Sequence, residues 1–115
     1  MKENIVYCHL NEWWWGKSIE IVRKDGLATI TVNLDEKSFP NVAYLQGLTV
    51  LKTERKQGLG NYMLDNAIAI ARKYGKGFAR LYCDKNNTWL KEWYERRGFK
   101  IFSQDEHEFE MIKEL

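Results

Sequence analysis

The sequence predicts an α/β fold: antiparallel strands come first, a parallel βαβ unit lies in the middle, and a helix and two strands close the chain. Two observations predict this order. Apolar and polar positions alternate over residues 17–34, on both sides of Asp25-Gly26. Further on, apolar runs over 42–51 and 78–83 flank a helical pattern over 60–74. Strand, helix and strand in that order are typical of a parallel strand pair.

The alternating segment predicts a β-hairpin. Residues 17–26, "KSIEIVRKDG", form its first strand and end in an Asp-Gly dipeptide, which favours a tight turn. Residues 27–34, "LATITVNL", are rich in β-branched side chains and form the partner strand. Before this hairpin, the alternation from Ile5 to Leu10 permits one further strand.

The middle of the chain predicts a βαβ unit with a right-handed crossover. The run "VAYLQGLTVL", residues 42–51, is mostly apolar, so we expect a strand buried on both faces. Gly75 supplies a C-terminal cap for the helix, and "FARLYC", residues 78–83, forms the next strand. One face of the predicted helix over 60–74 carries apolar side chains at the expected spacing, namely Met63, Ala67, Ile70 and Tyr74.

The last third of the chain predicts a helix and two strands. The helix runs over residues 88–97 and stops at Gly98. The segments "FKIFSQ" and "HEFEMIKEL" then form the closing strands.

Composition narrows the class of protein. A chain of 115 residues predicts a single domain, over residues 1–115. The formal net charge of +2 is too small to indicate a nucleic-acid partner. No apolar run approaches the roughly 20 residues of a membrane-spanning helix, and no signal peptide is apparent. Cys8 and Cys83 lack metal-ligand spacing, so we expect no metal and a reduced cytoplasmic setting.

The stretch "ERKQGLGNYM", residues 54–63, precedes the central helix and has two readings. The first is a turn that uses glycine only because the backbone needs a positive φ. The second is a phosphate site, because a helix start leaves about four N–H groups without partners and adds roughly half a positive charge. The nucleotide P-loop pattern is absent, and the dinucleotide pattern would need glycine where Met63 stands.

The neighbourhood of this loop resembles the acetyl-CoA loop of the GNAT N-acetyltransferases, whose signature is R/Q-x-x-G-x-G/A after a central strand. Arg55, Gly58 and Gly60 stand at those positions. Val50 is the apolar strand residue that the family usually places five positions earlier.

A second family pattern, L-x-V-x-x-x-N-x-x-A-x-x-L-Y-x-x-x-G-F, is also similar to this chain. Cys83, Leu90 and Trp93 differ from the pattern but remain apolar. The corresponding residues are Leu81, Cys83, Asn87, Leu90, Trp93, Tyr94, Gly98 and Phe99.

The resemblance implies a GNAT-like mixed sheet and a set of site residues. Tyr94 would assist departure of the thiolate, although its ring could instead belong to the core. Asn87 would bind the cofactor near its thiol end, although it could instead be a helix N-cap. Backbone groups of the strand and the loop would hold the remainder of acetyl-CoA, from Leu48, Thr49, Val50, Arg55, Lys56, Gln57, Gly58, Leu59, Gly60 and Asn61.

The activity implied is direct transfer of acetyl from acetyl-CoA to a primary amine of a small molecule, peptide or protein. A central-strand N–H, of Leu48 or Val50, would stabilise the tetrahedral intermediate. The alternative is a module that binds acetyl-CoA or another acyl-CoA without turnover. A small nucleic-acid binder rests on scattered Lys and Arg alone.

The general base and the acceptor side stay open at this stage. Relatives often carry an acid near the positions of Gln46 and Gly47, and this chain has none there. Few residues precede the first clear strand, so we expect an open acceptor pocket or a homodimer that completes it. Candidate bases by residue type are His9, Glu12, Glu20, Glu54 and Asp84. Three consecutive tryptophans could line that pocket or, as the favoured interpretation, cover an exposed core: Trp13, Trp14 and Trp15.

Overall fold

The computed structural model describes residues 6–14, 16–23, 25–34, 40–50 and 58–115. Within these residues, seven strands form one sheet in the order β1-β2-β3-β4-β5-β7-β6, and there are two helices. The strands are β1 Val6–Trp13, β2 Gly16–Arg23, β3 Ala28–Asn33, β4 Val42–Val50, β5 Phe78–Asp84, β6 Lys100–Gln104 and β7 Glu108–Glu114. The helices are α1 Leu59–Lys73 and α2 Thr88–Arg96. This mixed sheet is the fold that the sequence predicts.

The N-terminal half of the sheet is an antiparallel meander. β1 pairs with β2, β2 with β3 and β3 with β4, all antiparallel. The predicted hairpin turn is confirmed, because Gly26 has a φ of +76° and its N–H donates to the carbonyl of Arg23 at 2.7 Å. The permitted first strand is confirmed too, and it continues to Trp13.

The predicted βαβ unit is confirmed, with α1 within one residue of its expected bounds. β4 and β5 are parallel. α1 ends as predicted at Gly75, whose φ is +76° and whose N–H donates to Arg72 at 2.9 Å, while Lys76 donates to Ala71. This pair of bonds satisfies the last helix carbonyls as a Schellman motif does.

β4 is buried only in its first half, so the expectation of a strand buried on both faces is wrong. Val42, Ala43 and Leu45 are buried, whereas Gln46, Gly47 and Thr49 are exposed. The reason is that β4 and β5 form only three ladder pairs, of which the last joins Tyr44 to Arg80. Beyond Tyr44, β4 forms no further ladder pairs with β5.

A β-bulge shifts the register between β3 and β4 over the same stretch. Thr29 faces Thr49, but Thr31 faces Gln46, so β4 has one residue more than β3. The extra residue is accommodated at Gly47, whose φ of +68° lies in the left-handed region that glycine adopts without strain. The bulge and the end of the β5 ladder together re-aim the last residues of β4.

One hydrophobic core joins the sheet to both helices. α1 buries Met63 and Ala67 of the predicted apolar face, together with the neighbouring Ala71. Ile70 is half-buried and Tyr74 is exposed, so the prediction is wrong for Tyr74, which lies at the C-terminal end of the helix. Alternate residues of β5, Leu81 and Cys83, belong to the same cluster. Tyr94 and Phe99, from α2 and its C-terminal cap, complete it.

Arg80 of β5 forms an ion pair with Glu110 of β7. The guanidinium of Arg80 lies 2.9 Å from a carboxylate oxygen of Glu110 and over the rings of Tyr44 and Tyr82. Hydrogen bonds from Ser103 and Arg80 lower the pKa of Glu110. Removing one partner of such a buried pair leaves an uncompensated charge, so the pair ties β5 to β7. Among the described helices, none is long and apolar enough to cross a membrane.

Candidate active site

A cleft of about 180 Å³ opens where β4 and β5 separate. Its walls are mostly apolar, with polar groups at Gln46, Tyr82 and Tyr94. β3, both strands of the parallel pair and both helices contribute to it. The lining residues are Ile30, Leu45, Gln46, Gly47, Leu48, Leu64, Leu81, Tyr82, Leu90 and Tyr94. An apolar cleft with few polar groups is the usual form of a small-molecule site.

The predicted cofactor residues of β4 lie along one wall of this cleft or directly after it. Leu48 lines the cleft, and Thr49 and Val50 continue the strand beyond it. Thr49 and Val50 pair with Thr29 and Ala28 of β3, so their β3 side is covered. The ladder between β4 and β5 ends at Tyr44, so the other edge of residues 48–50 forms no ladder pairs with β5. An extended ligand can therefore lie along that edge as a strand would.

The start of α1 offers three backbone donors. The first bond of the helix runs from the N–H of Tyr62 to the carbonyl of Gly58 at 3.0 Å. The N–H groups of Leu59, Gly60 and Asn61 come before it in the helix, and no side chain among the described residues caps them. The first turn holds no acidic residue. These are the conditions under which a helix start binds an anion.

The two glycines of the loop have different physical reasons. Gly58 has a φ of +74°, and a Cβ there would meet nothing within 4 Å, so it is needed for its backbone conformation. Gly60 is helical, and a Cβ there would lie 3.3 Å from Cζ2 of Trp93. Gly60 therefore makes room for the indole of α2. Three of the predicted loop residues, Arg55, Lys56 and Gln57, lie outside the described residues.

Tyr94 lies at the inner wall of the cleft and is 6% exposed. Its ring makes edge contacts with Trp93 at 5.2 Å and Phe99 at 5.6 Å between centroids. Burial and, to a lesser degree, the neighbouring Cys83 raise the pKa of Tyr94 to about 12. The ring is packed in the core, which confirms the core interpretation. Because Tyr94 also lines the cleft, a role of its hydroxyl in departure of the thiolate stays a prediction.

Asn87 is the N-cap of α2. Its Oδ1 accepts a hydrogen bond from the N–H of Leu90 at 3.1 Å. This is the capping role that the sequence left open. The side chain is exposed, so its amide NH₂ is still accessible to a ligand, and cofactor binding by Asn87 stays a prediction.

None of the four candidate bases within the described residues lines the cleft. His9 and Glu12 belong to β1, at the far edge of the sheet, and Glu20 faces His9 from β2. Asp84 ends β5, where its carboxylate accepts from the N–H of Asn86 at 2.7 Å. Glu54 lies outside the described residues. The described lining of the cleft contains no Asp, Glu or His.

Trp13 is the last residue of β1, and Trp14 lies in the turn that follows it. Trp14 follows the end of β1 and is 91% exposed, so it covers little of the core and the core-cover interpretation is wrong for it. Its exposure follows from its position in the turn between β1 and β2. Trp15 lies outside the described residues.

Two residues that the sequence did not single out, Tyr82 and Arg97, contribute to the site, as does Trp93, which the family pattern included without a role. Tyr82 lines the cleft, and its hydroxyl accepts from Nη1 of Arg80 at 3.1 Å. Trp93 packs against Gly60, and Arg97 lies over the indole ring, 3.8 Å from its centroid. The available signal was the four-residue spacing of Trp93 and Arg97, which places them on one helix face.

The sequence profile of the acetyltransferase (GNAT) family matches residues 6–99. A curated relative, GCN5-related N-acetyltransferase 6, chloroplastic, from Arabidopsis thaliana, is 32% identical over 69 residues, which are 60% of this chain and 24% of the relative. This chain thus spans about a quarter of that protein's length.

Two solved structures share the fold. PaiA N-acetyltransferase from Thermoplasma acidophilum, in complex with coenzyme A, superposes with a TM-score of 0.72 at 23% identity, covering 85% of this chain and 60% of that one. IAA acetyltransferase from Bacillus cereus superposes with a TM-score of 0.73 at 16% identity, covering 88% and 79%. At these identities the likeness concerns the fold alone.

Proposed function

Because this chain belongs to the acetyltransferase (GNAT) family, we propose that it transfers the acetyl group of acetyl-CoA directly to a primary amine. The observation that carries the proposal is the cleft between the separated ends of β4 and β5, with Tyr94 on its wall. The same βαβ unit places three uncapped N–H groups at the start of α1. A long thioester with phosphate groups at its other end matches both features.

We assign the thioester arm to the edge of β4 beyond its ladder with β5, and the phosphates to the start of α1. Leu48 borders the cleft and would donate its N–H to the developing oxyanion, a role that Val50 could share. Gly58 and Gly60 would permit close approach of the phosphates to the loop backbone. Arg55, Lys56 and Gln57 remain part of this proposal by resemblance to the family loop.

The neutral amine nitrogen attacks the thioester carbon and a C–N bond forms, and the C–S bond then breaks to release a thiolate. The nitrogen also gives up one N–H proton to water, which leaves a neutral amide. A free lysine-type amine has a pKa of about 10.4, so the nitrogen must lose a proton first. With no acid or His in the described lining, that proton leaves through water at the polar residues Gln46 and Tyr82.

The role of Tyr94 follows from its raised pKa. A proton transfer from a phenol of pKa about 12 to a thiolate whose acid has a pKa of about 8.5 is uphill by roughly 3.5 units, or about 4.8 kcal/mol. Full transfer is therefore unfavourable. Tyr94 instead donates a hydrogen bond to the sulfur as negative charge develops on it, and solvent protonates the thiolate afterwards.

A second function, acyl-CoA binding without turnover, is favoured by the absence of an acidic residue from the described lining of the cleft. An assay separates the two. Purified protein and acetyl-CoA are mixed with a panel of small amines and of peptides with free N-terminal or lysine amines, and thiol release is followed alongside calorimetric binding of CoA.

An acetyltransferase releases thiol only with certain amines and yields the acetylated amine in equal amount. A binding module gives a calorimetric signal for CoA and no release above the amine-free control with any member of the panel. Analytical ultracentrifugation of the same sample tests the homodimer, which would complete an open acceptor side.

A further inference from the structure

We propose that Arg97, which follows the last turn of α2, binds a phosphate group of the coenzyme A nucleotide beside the start of α1. This inference rests on the proposed function and adds a binding residue to it. The glycine loop does not contain this position, and the pattern that contains Tyr94 specifies no residue type for it.

Arg97 is held against the first turn of α1 by three contacts. Its Nε donates to Oδ1 of Asn61. Its Nη1 donates to the carbonyl of Trp93 at 2.8 Å. Its guanidinium carbon lies 3.8 Å from the centre of the Trp93 ring, and that ring packs against Gly60. The charge is thus fixed within reach of the α1 N–H groups rather than free in solvent.

The guanidinium keeps donors for a ligand. Arginine has five N–H donors in a planar fork. The two hydrogen bonds above use two of them, and the remaining donors of Arg97 have no partner among the described residues. A planar fork suits the bidentate binding of phosphate oxygens.

The charges around the start of α1 and Arg97 favour the binding of an anion. The start of α1 has the positive end of the helix dipole and no acidic residue in its first turn. Arg97 adds a second positive charge beside it, and Arg96 a third on the neighbouring position. Burial and Arg96 lower the pKa of Arg97, and Asp65 of α1 acts in the opposite direction. A phosphate between Arg97 and α1 would offset the repulsion between Arg96 and Arg97.

A purely structural clamp between α1 and α2 explains the bond to Asn61 and the cation–π contact with Trp93. It leaves the remaining N–H donors of the guanidinium unused. Two sources of phosphate are compatible with the position: the pyrophosphate bridge and the phosphate on the ribose. Both belong to the nucleotide half of the ligand and neither to the pantetheine half.

The test compares Arg97→Gln with wild type and with Arg72→Gln, an exposed position in the last turn of α1. Dissociation constants are measured for CoA, dephospho-CoA and pantetheine at two salt concentrations. We expect Arg97→Gln to weaken CoA binding by about 10-fold to 100-fold and to reduce its salt dependence, as the loss of charge-assisted hydrogen bonds does. Arg97→Gln should bind pantetheine with the wild-type dissociation constant. Arg72→Gln should bind all three ligands with the wild-type dissociation constants.

Dephospho-CoA identifies the phosphate. If Arg97 binds the ribose phosphate, the variant loses the preference for CoA over dephospho-CoA. If it binds the pyrophosphate, the variant weakens both by the same factor. Equal weakening of CoA and pantetheine, or no change in CoA binding, overturns the proposal.

Two further measurements keep the test decisive. Arg97→Lys retains the charge with a weaker donor set, so it should bind CoA more weakly than wild type and more tightly than Arg97→Gln. If Arg97→Gln unfolds, weaker CoA binding by Arg97→Lys with unchanged pantetheine binding tests the proposal alone. Wild-type protein that binds CoA but acetylates no amine would refute acetyl transfer and leave the Arg97 assignment to be judged by binding. Wild-type protein that binds no CoA would refute the proposed function itself.

Discussion

Replacing Tyr94 by phenylalanine removes one hydroxyl from the wall of the cleft and leaves a ring of nearly the same shape. Because the pKa of Tyr94 is about 12, the hydroxyl keeps its proton through the working range and can donate a hydrogen bond to the sulfur. A hydrogen bond to a charged group contributes about 1.5–3 kcal/mol. At 1.4 kcal/mol per tenfold, that predicts a loss in turnover of about 10-fold to 150-fold.

The assay is thiol release under saturating acetyl-CoA, with CoA affinity measured separately. The affinity of Tyr94→Phe should stay near the wild-type value, because the lost interaction develops only as the thiolate leaves. Tyr74→Phe is the matched control, since Tyr74 lies at the C-terminal end of α1, away from the cleft.

A series of leaving groups sharpens the test. Acetyl thioesters of progressively more acidic thiols need less help to depart, so the ratio of wild-type to Tyr94→Phe rates should fall toward one along the series. A ratio that stays constant would refute assistance to the leaving sulfur, even if the variant is slow. Unchanged turnover with acetyl-CoA would refute any catalytic role of the residue.

The other predictions concern the glycine loop and stability. Gly58→Asn, which tolerates a positive φ, should weaken CoA binding more than Lys56→Ala, as titration calorimetry would reveal; the opposite ranking would assign the phosphates to side-chain charge. Gly60→Ala should lower the unfolding free energy of wild type by about 1 kcal/mol, because the new Cβ meets the indole of Trp93. In the Trp93→Leu background the same substitution should raise the unfolding free energy by up to about 1 kcal/mol, because alanine has a higher helix propensity than glycine. A cost that is the same in both backgrounds would exclude this contact as its cause. Burial of Tyr94 contributes stability that is complete below pH 10 and falls by up to about 2.7 kcal/mol as pH rises to 12, so denaturant titrations should show a steeper loss for wild type than for Tyr94→Phe.

Local patterns in the sequence were sufficient for the order of strands and helices. The Asp-Gly turn, the apolar periodicity of α1 and the glycines after both helices each act through neighbouring residues, so they can be recognised without a structure. Gly98, for example, caps α2 as Gly75 caps α1, with a φ of +90°. The resemblance added the function-bearing positions, since two family patterns occur in the family's order.

The burial of β4 could not be predicted because it depends on how far β5 follows it. Gln46 and Gly47 interrupt the apolar run "VAYLQGLTVL", and the interruption coincides with the bulge and the open edge. The Arg97 contacts also escaped prediction, because Asn61 and Arg97 are 36 positions apart and meet only when α1 and α2 pack. The N-cap role of Asn87, in contrast, was among the two alternatives that the sequence offered. It does not exclude the other alternative, because a residue that caps a helix can still present an accessible amide.

The three-rung ladder between β4 and β5 divides the sheet into two parts. β1 to β4 are linked by long antiparallel ladders, as are β5, β7 and β6, but only three residue pairs join one set to the other. Amide hydrogen exchange should therefore reveal two cooperative units with separate opening energies. A ligand lodged between the separated strand ends would touch both units, so its binding should slow exchange in each and merge them into one.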